Sequence, residues 1–112
     1  RARHFILMSS IDFTKLVHYQ SQLPYSVEVK IGESKDGGFW VEILSLPGCF
    51  TQAENGEEVL VMVNDAIFTY FNIPEEYFSS LPRYFPNEKL KNNRNGLYKC
   101  AAVFYKRKNG SA

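Results

Sequence analysis

Residues 25–31 alternate strictly. Tyr25, Val27, Val29 and Ile31 fall on one side, and Ser26, Glu28 and Lys30 on the other, the period-two pattern of a strand with one wet face. A polar connector follows, ending in Asp36-Gly37-Gly38. Residues 39–44 then alternate again, with Phe39, Val41 and Ile43 against Trp40, Glu42 and Leu44. Two such runs joined by turn residues predict an antiparallel hairpin. Leu46-Pro47-Gly48 makes a tight turn, because proline fixes φ and glycine permits φ > 0. Residues 49–53 suffice for a third, short strand. Asn55 is an N-cap residue, with Glu58 three positions later as in a capping box. From there to about residue 71 the period is helical. Val59, Val63, Ala66, Ile67 and Tyr70 form the apolar stripe, with Leu60 and Phe71 at its edge and Asn64, Asp65 and Thr69 elsewhere. Ile73-Pro74 ends the helix.

The flanks are less regular. Residues 12–22 predict a short helix capped by Asp12, with Phe13, Leu16, Val17 and Gln20 at helical spacing, and Pro24 breaks it. Residues 75–95 contain Pro82 and Pro86. They predict turns, with one helical turn near Glu76-Tyr77-Phe78, and Asn95-Gly96 closes them. Residues 97–106 predict a last strand. Leu97, Lys99, Ala101, Val103 and Tyr105 share one face, and Tyr98, Cys100, Ala102 and Phe104 the other. A strand apolar on both sides predicts cover from the core and from a partner. The expected class is α+β in the order β-β-β-α-β: a three- to four-stranded antiparallel sheet with one main helix on it. Three segments result: an N-terminal extension at 1–24, a core at 25–74, and an aromatic, basic region at 75–112.

At 112 residues the chain is one domain. Its 15% of aromatic residues exceeds what one small core needs. A homodimer or higher oligomer is expected, with residues 97–105, Phe78, Tyr84 and Phe85 contributing. The apolar runs fall short of the roughly 18 residues of a membrane span. His4-Phe5-Ile6-Leu7-Met8 is too short for a secretory core, and Met8 is a candidate natural start. Two well-separated cysteines, Cys49 and Cys100, fit reduced thiols in a cytoplasm.

Charge is uneven. Up to Pro82, five basic residues stand against eleven acidic ones, a charge of −6; from Arg83 onward eight stand against one, a charge of +7. The acidic body suits a basic partner. The basic region interleaves cations with rings, as in Arg83-Tyr84-Phe85 and Tyr105-Lys106-Arg107-Lys108. This offers an alternative reading as a nucleic-acid contact through Arg83, Lys89, Lys91, Arg94, Lys106, Arg107 and Lys108.

Catalytic chemistry finds little purchase. Glu28 and Glu42 lie on facing strands, but among Lys30 and Trp40 and with no third acid placed by motif, whereas two-metal hydrolysis needs several converging carboxylates. Cys49 lacks a histidine placed to activate it, since His4 and His18 both lie in the N-terminal part. Zinc ligation fails on ligand number and spacing. Asp36-Gly37-Gly38 opens a strand and lacks the lysine of a phosphate loop. Trp40 either packs under the N-terminal segment or anchors a partner.

The ordered set of strand Tyr25-Ser26-Val27-Glu28-Val29, turn Asp36-Gly37-Gly38, strand Phe39-Trp40-Val41-Glu42, turn Leu46-Pro47-Gly48-Cys49, Thr51-Gln52 and helix start Glu57-Glu58 resembles the HicB family, the antitoxin half of HicA–HicB pairs. The resemblance covers residues 25–74. It implies a partial ribonuclease-H-like fold without that enzyme's active site, no cofactor, and a HicA-like toxin, a small basic ribonuclease, as partner. Trp40, Glu28 and Glu42 on the outer sheet face, with Asp36 at the turn, are the expected contacts. Many members carry a C-terminal DNA-binding domain; this sequence shows none recognisable after Pro74. The family also includes solitary, single-domain members without an evident toxin, and the resemblance leaves that as an alternative reading.

Overall fold

The computed structural model describes residues 11–86 and 96–103. Helix α1 is Phe13–Gln22, strand β1 is Ser26–Glu33, β2 is Phe39–Ile43 and β3 is Phe50–Ala53. Helix α2 follows as Gly56–Tyr70, then a 3-10 helix at Glu75–Ser80, strand β4 at Arg83–Pro86 and strand β5 at Leu97–Val103. The fold is α+β. Its sheet has five strands in the order β3-β2-β1-β5-β4, every neighbouring pair antiparallel.

The hairpin forms as its alternation demands. Val29 pairs with Ile43 and Ile31 with Val41, so the apolar side chains of both strands share one face. Gly37 and Gly38 turn the chain at φ values of 92° and 83°, where a side chain is strained. Asn55 caps α2, its side chain accepting the Glu58 N–H at 3.0 Å. The reciprocal bond is displaced by one residue from a capping box: the Glu58 carboxylate accepts the N–H of Glu54 at 3.1 Å. Asp12 caps α1, accepting from the N–H groups of Thr14 and Lys15.

The core lies between one sheet face and the helices. Val27, Val29, Val41, Ile43, Ala53, Tyr84 and Cys100 come from the strands, and Val59, Val63, Ile67 and Phe68 from α2. Helix α1 contributes Leu16 and packs Tyr19 edge-on against Tyr77 of the 3-10 helix, with ring centroids 5.1 Å apart.

Five points differ from the sequence-based expectations. Strand β4 exists despite Pro82 and Pro86, so the sheet exceeds four strands. Phe13 and Val17 are exposed, and α1 instead turns Leu16 inward with Tyr19 beside it. On α2, Phe68 and Asn64 are buried while Tyr70 is exposed, because β4 also packs against this helix and covers a flank that an amphipathic stripe leaves open. Tyr84 is 0% exposed, so it belongs to the core and not to a subunit contact. Its hydroxyl donates to the Pro24 carbonyl at 2.5 Å. Finally, Phe78 packs its ring on Phe68 at 4.9 Å and is half-buried within the chain.

Asn64, 5% exposed, explains how β4 tolerates an edge position. Its carboxamide accepts the Tyr84 N–H at 2.6 Å and donates to the Tyr84 carbonyl at 3.1 Å. It thus stands where a sixth strand would. Strand β4 pairs Arg83 with Val103 and Phe85 with Ala101. The outward positions are therefore Tyr84, held by Asn64, and Pro86, which has no N–H. Among the described residues this edge offers no free donor to another chain.

Candidate functional site

Helices cover one face of the sheet. Among the described residues none lies over the other. That face carries Phe50 and Gln52 from β3, Trp40 and Glu42 from β2, Glu28 and Lys30 from β1, Leu97, Lys99 and Val103 from β5, and Phe85 from β4. Most of these are exposed, Phe50 to 64% and Trp40 to 39%.

Trp40 has a dedicated seat. It pairs across the hairpin with Gly32, and a Cβ built on that glycine would lie 2.1 Å from the indole Cζ2. The indole therefore packs against a strand glycine, a close approach that only a residue without a side chain permits. The contact fixes a large aromatic surface at the open side of the sheet.

Register sets the charges. Glu28 stands opposite Lys99 and Glu42 opposite Lys30. The two glutamates are thus diagonal to each other, and each stands across the ladder from a lysine. The Glu28 N–H is held by the Ser45 hydroxyl at 2.8 Å, which anchors the bend that follows β2.

Asp36 lies elsewhere. Together with Glu54, Glu58 and Met62 it lines an open groove of about 960 Å³ between the β1–β2 turn, strand β3 and the first turns of α2. Three carboxylates and no cation line it. A smaller apolar slot of about 300 Å³, bounded by Trp40, Phe50 and Gln52, opens on the outer face. Thr51 and Gln52 of β3 border both. Strand β3 is therefore a rim with an aromatic surface on one side and an acidic groove on the other. No local pattern points to this groove, because its three walls come from segments that only the fold brings together.

Of the residues proposed for nucleic-acid contact, Arg83 is described. It lines a cleft of about 420 Å³ with Asp65, Glu75 and Glu76, surroundings that repel phosphate. Lys89, Lys91, Arg94, Lys106, Arg107 and Lys108 lie outside the described residues, as do the first ten residues and the strand positions beyond Val103.

Both cysteines are free and buried. Burial raises the Cys49 thiol and pushes that of Cys100 up to about 11; it likewise pushes the Tyr84 phenol up to about 12. These groups stay protonated at neutral pH and supply no thiolate nucleophile. Their folded pKa values lie above the unfolded ones, so the stability they hold is complete below about pH 9 and is lost as pH rises toward 11–12. The urea midpoint should accordingly fall between pH 9 and 12, and a disulfide reagent at pH 8 should leave both thiols unmodified until the protein unfolds. Rapid native labelling would contradict the burial.

Among the described residues no helix is long and apolar enough to cross a membrane. No family model matches the sequence, and no solved structure matches it. Two archaeal relatives do. A UPF0150 protein of Thermoplasma acidophilum is 34% identical over 55 residues, 49% of this chain and 80% of that protein. A UPF0150 protein of Archaeoglobus fulgidus is 38% identical over 45 residues, 40% of this chain and 65% of that protein. The shared stretch is long enough to hold the hairpin, β3 and α2 together, and on that likeness the chain belongs to the UPF0150 family.

Proposed function

We propose that this protein is a HicB-like, non-catalytic antitoxin that binds and neutralises a small, basic, HicA-type ribonuclease in the cytoplasm. The observation that carries this reading is the rim of the sheet at β3, where a seated tryptophan and an exposed phenylalanine adjoin a groove lined by three carboxylates. Aromatic anchors supply most of the energy of a protein interface, and the acidic groove draws in a basic partner and sets its register. Trp40 is the anchor on the outer face with Glu28 and Glu42 on the strands beside it, and Asp36 is the charge complement in the groove on the other side of β3. The α+β order β1-β2-β3-α2, with its antiparallel hairpin, third strand and helix, supports this reading. The pairing of Glu28 and Glu42 with lysines supports a sheet without that enzyme's metal-binding carboxylates. On the far half of the same face, Phe85 and Val103 suit self-association into a homodimer or higher oligomer.

The test is direct. A cognate HicA-like toxin cleaves RNA in vitro, and adding this protein at equimolar amount should abolish cleavage. Cleavage undiminished at tenfold excess of the protein removes the antitoxin reading.

A further inference from the structure

The two edges of the sheet are built differently. Strand β4 is closed by Asn64 and proline. The parity of β3 follows from one bond: the Ile43 N–H donates to the Cys49 carbonyl at 2.9 Å. Residues 49, 51 and 53 therefore bond inward to β2, in register with Thr51 opposite Val41 and Ala53 opposite Phe39, and the even positions turn their N–H and C=O groups away. Of these, the Glu54 N–H is taken by Glu58. Phe50 and Gln52 keep theirs, and among the described residues nothing bonds to them. The sheet thus presents a short open edge with two donors and two acceptors, bounded by the turn at Gly48 and the carboxylate of Glu58.

We infer that this edge takes an extended, basic segment of a partner protein as a sixth strand. The side chains of an added strand alternate between the two surfaces that meet at β3. Those on the outer side rest against Phe50 and Trp40, and those on the inner side hang over the groove of Asp36, Glu54 and Glu58. The occupant therefore alternates an apolar residue with a lysine or arginine. A second copy of this chain fits poorly. Pairing β3 with its own two-fold mate places the acidic groove of one copy beside that of the other, and like charges along one seam disfavour it. The inference rests on the reading of the protein as the binder of a basic partner and assigns the way that partner is held.

The full-length protein, labelled with nitrogen-15, is titrated with a synthetic octapeptide of alternating lysine and valine and, separately, with its glutamate–valine counterpart. The lysine peptide should bind and slow amide hydrogen exchange at Phe50 and Gln52, leaving the Tyr84 amide unchanged. Gln52→Pro removes an outward donor while sparing every bond to β2, and should weaken the peptide roughly five- to tenfold, the usual worth of one net hydrogen bond. Asp36→Lys with Glu54→Lys should weaken it further and flatten its salt dependence; thermal melting of each variant confirms that the fold is kept. Equal binding of the glutamate peptide, protection elsewhere on the sheet, or no binding at all overturns the inference. So does protection of Phe50 and Gln52 that grows with protein concentration in the absence of peptide, which would make a second copy the occupant. The toxin assay separates the two levels: if both variants neutralise toxin as well as the parent, edge pairing is wrong and the antitoxin reading stands. If the parent fails to neutralise but the lysine peptide protects the edge, the edge stands and the toxin is the wrong partner.

Discussion

Asn64→Leu should destabilise the protein by about 2–6 kcal/mol, since each buried backbone group that loses its partner costs about 1–3 kcal/mol and this substitution orphans two. Leucine nearly matches asparagine in shape, so packing changes little. What goes is the pair of bonds from the carboxamide to the N–H and C=O of Tyr84, at a residue with no exposure to water. For a domain of this size the melting temperature should fall by roughly 10 °C or more, and urea denaturation provides the free energy. Exchange of the Tyr84 amide should quicken beyond the global change, because its partner is gone. Asn64→Asp sharpens the test. The carboxyl keeps an acceptor for the Tyr84 N–H but sets an anion beside the Tyr84 carbonyl in a dry site. Burial raises the pKa of that carboxyl, so this variant should regain stability as pH falls toward 4. A loss under 1 kcal/mol in Asn64→Leu would mean that another group closes β4.

The same asparagine shows where reading the sequence succeeds and where it stops. The hairpin, the third strand and α2 were legible because one face of each is buried against the core while the other is wet, so hydrophobic period and element coincide. Strand β4 was not, since Pro82 and Pro86 mark a break in any local reading. They are harmless because the edge directs position 86 away from the ladder, a fact of topology. Asn64 read as surface for the same reason: only the return of β4 across α2 makes that flank interior. At the candidate site the faces of Trp40, Glu28 and Glu42 were legible from alternation. Their partners were not, because register decides that Glu28 meets Lys99 and Glu42 meets Lys30. Asp36 was readable as a turn residue, but its company of Glu54 and Glu58 required the fold.

Trp40→Ala should weaken toxin binding by about 2–4 kcal/mol, the range of a buried aromatic hot spot, equivalent to roughly 30- to 1,000-fold in Kd. The ring lies on the outer face of the sheet, away from the core of Val29, Val41 and Ile43, so the melting temperature should change little. Gly32→Ala separates the ring's presence from its placement. The new methyl would occupy the indole's seat, 2.1 Å from Cζ2 and 2.3 Å from Cε2, and the side chain must swing into solvent. Trp40 is the single tryptophan, so its emission reports this directly and should shift to the red. Binding should then weaken by about 0.5–1.5 kcal/mol, the cost of immobilising one mobile side chain on association, while every charge on the surface stays in place. Loss in both variants, larger for Trp40→Ala, identifies a pre-positioned anchor. If Gly32→Ala shifts the emission yet binds toxin at full strength, the partner does not use the indole where Gly32 holds it, and the strand glycine serves the fold alone.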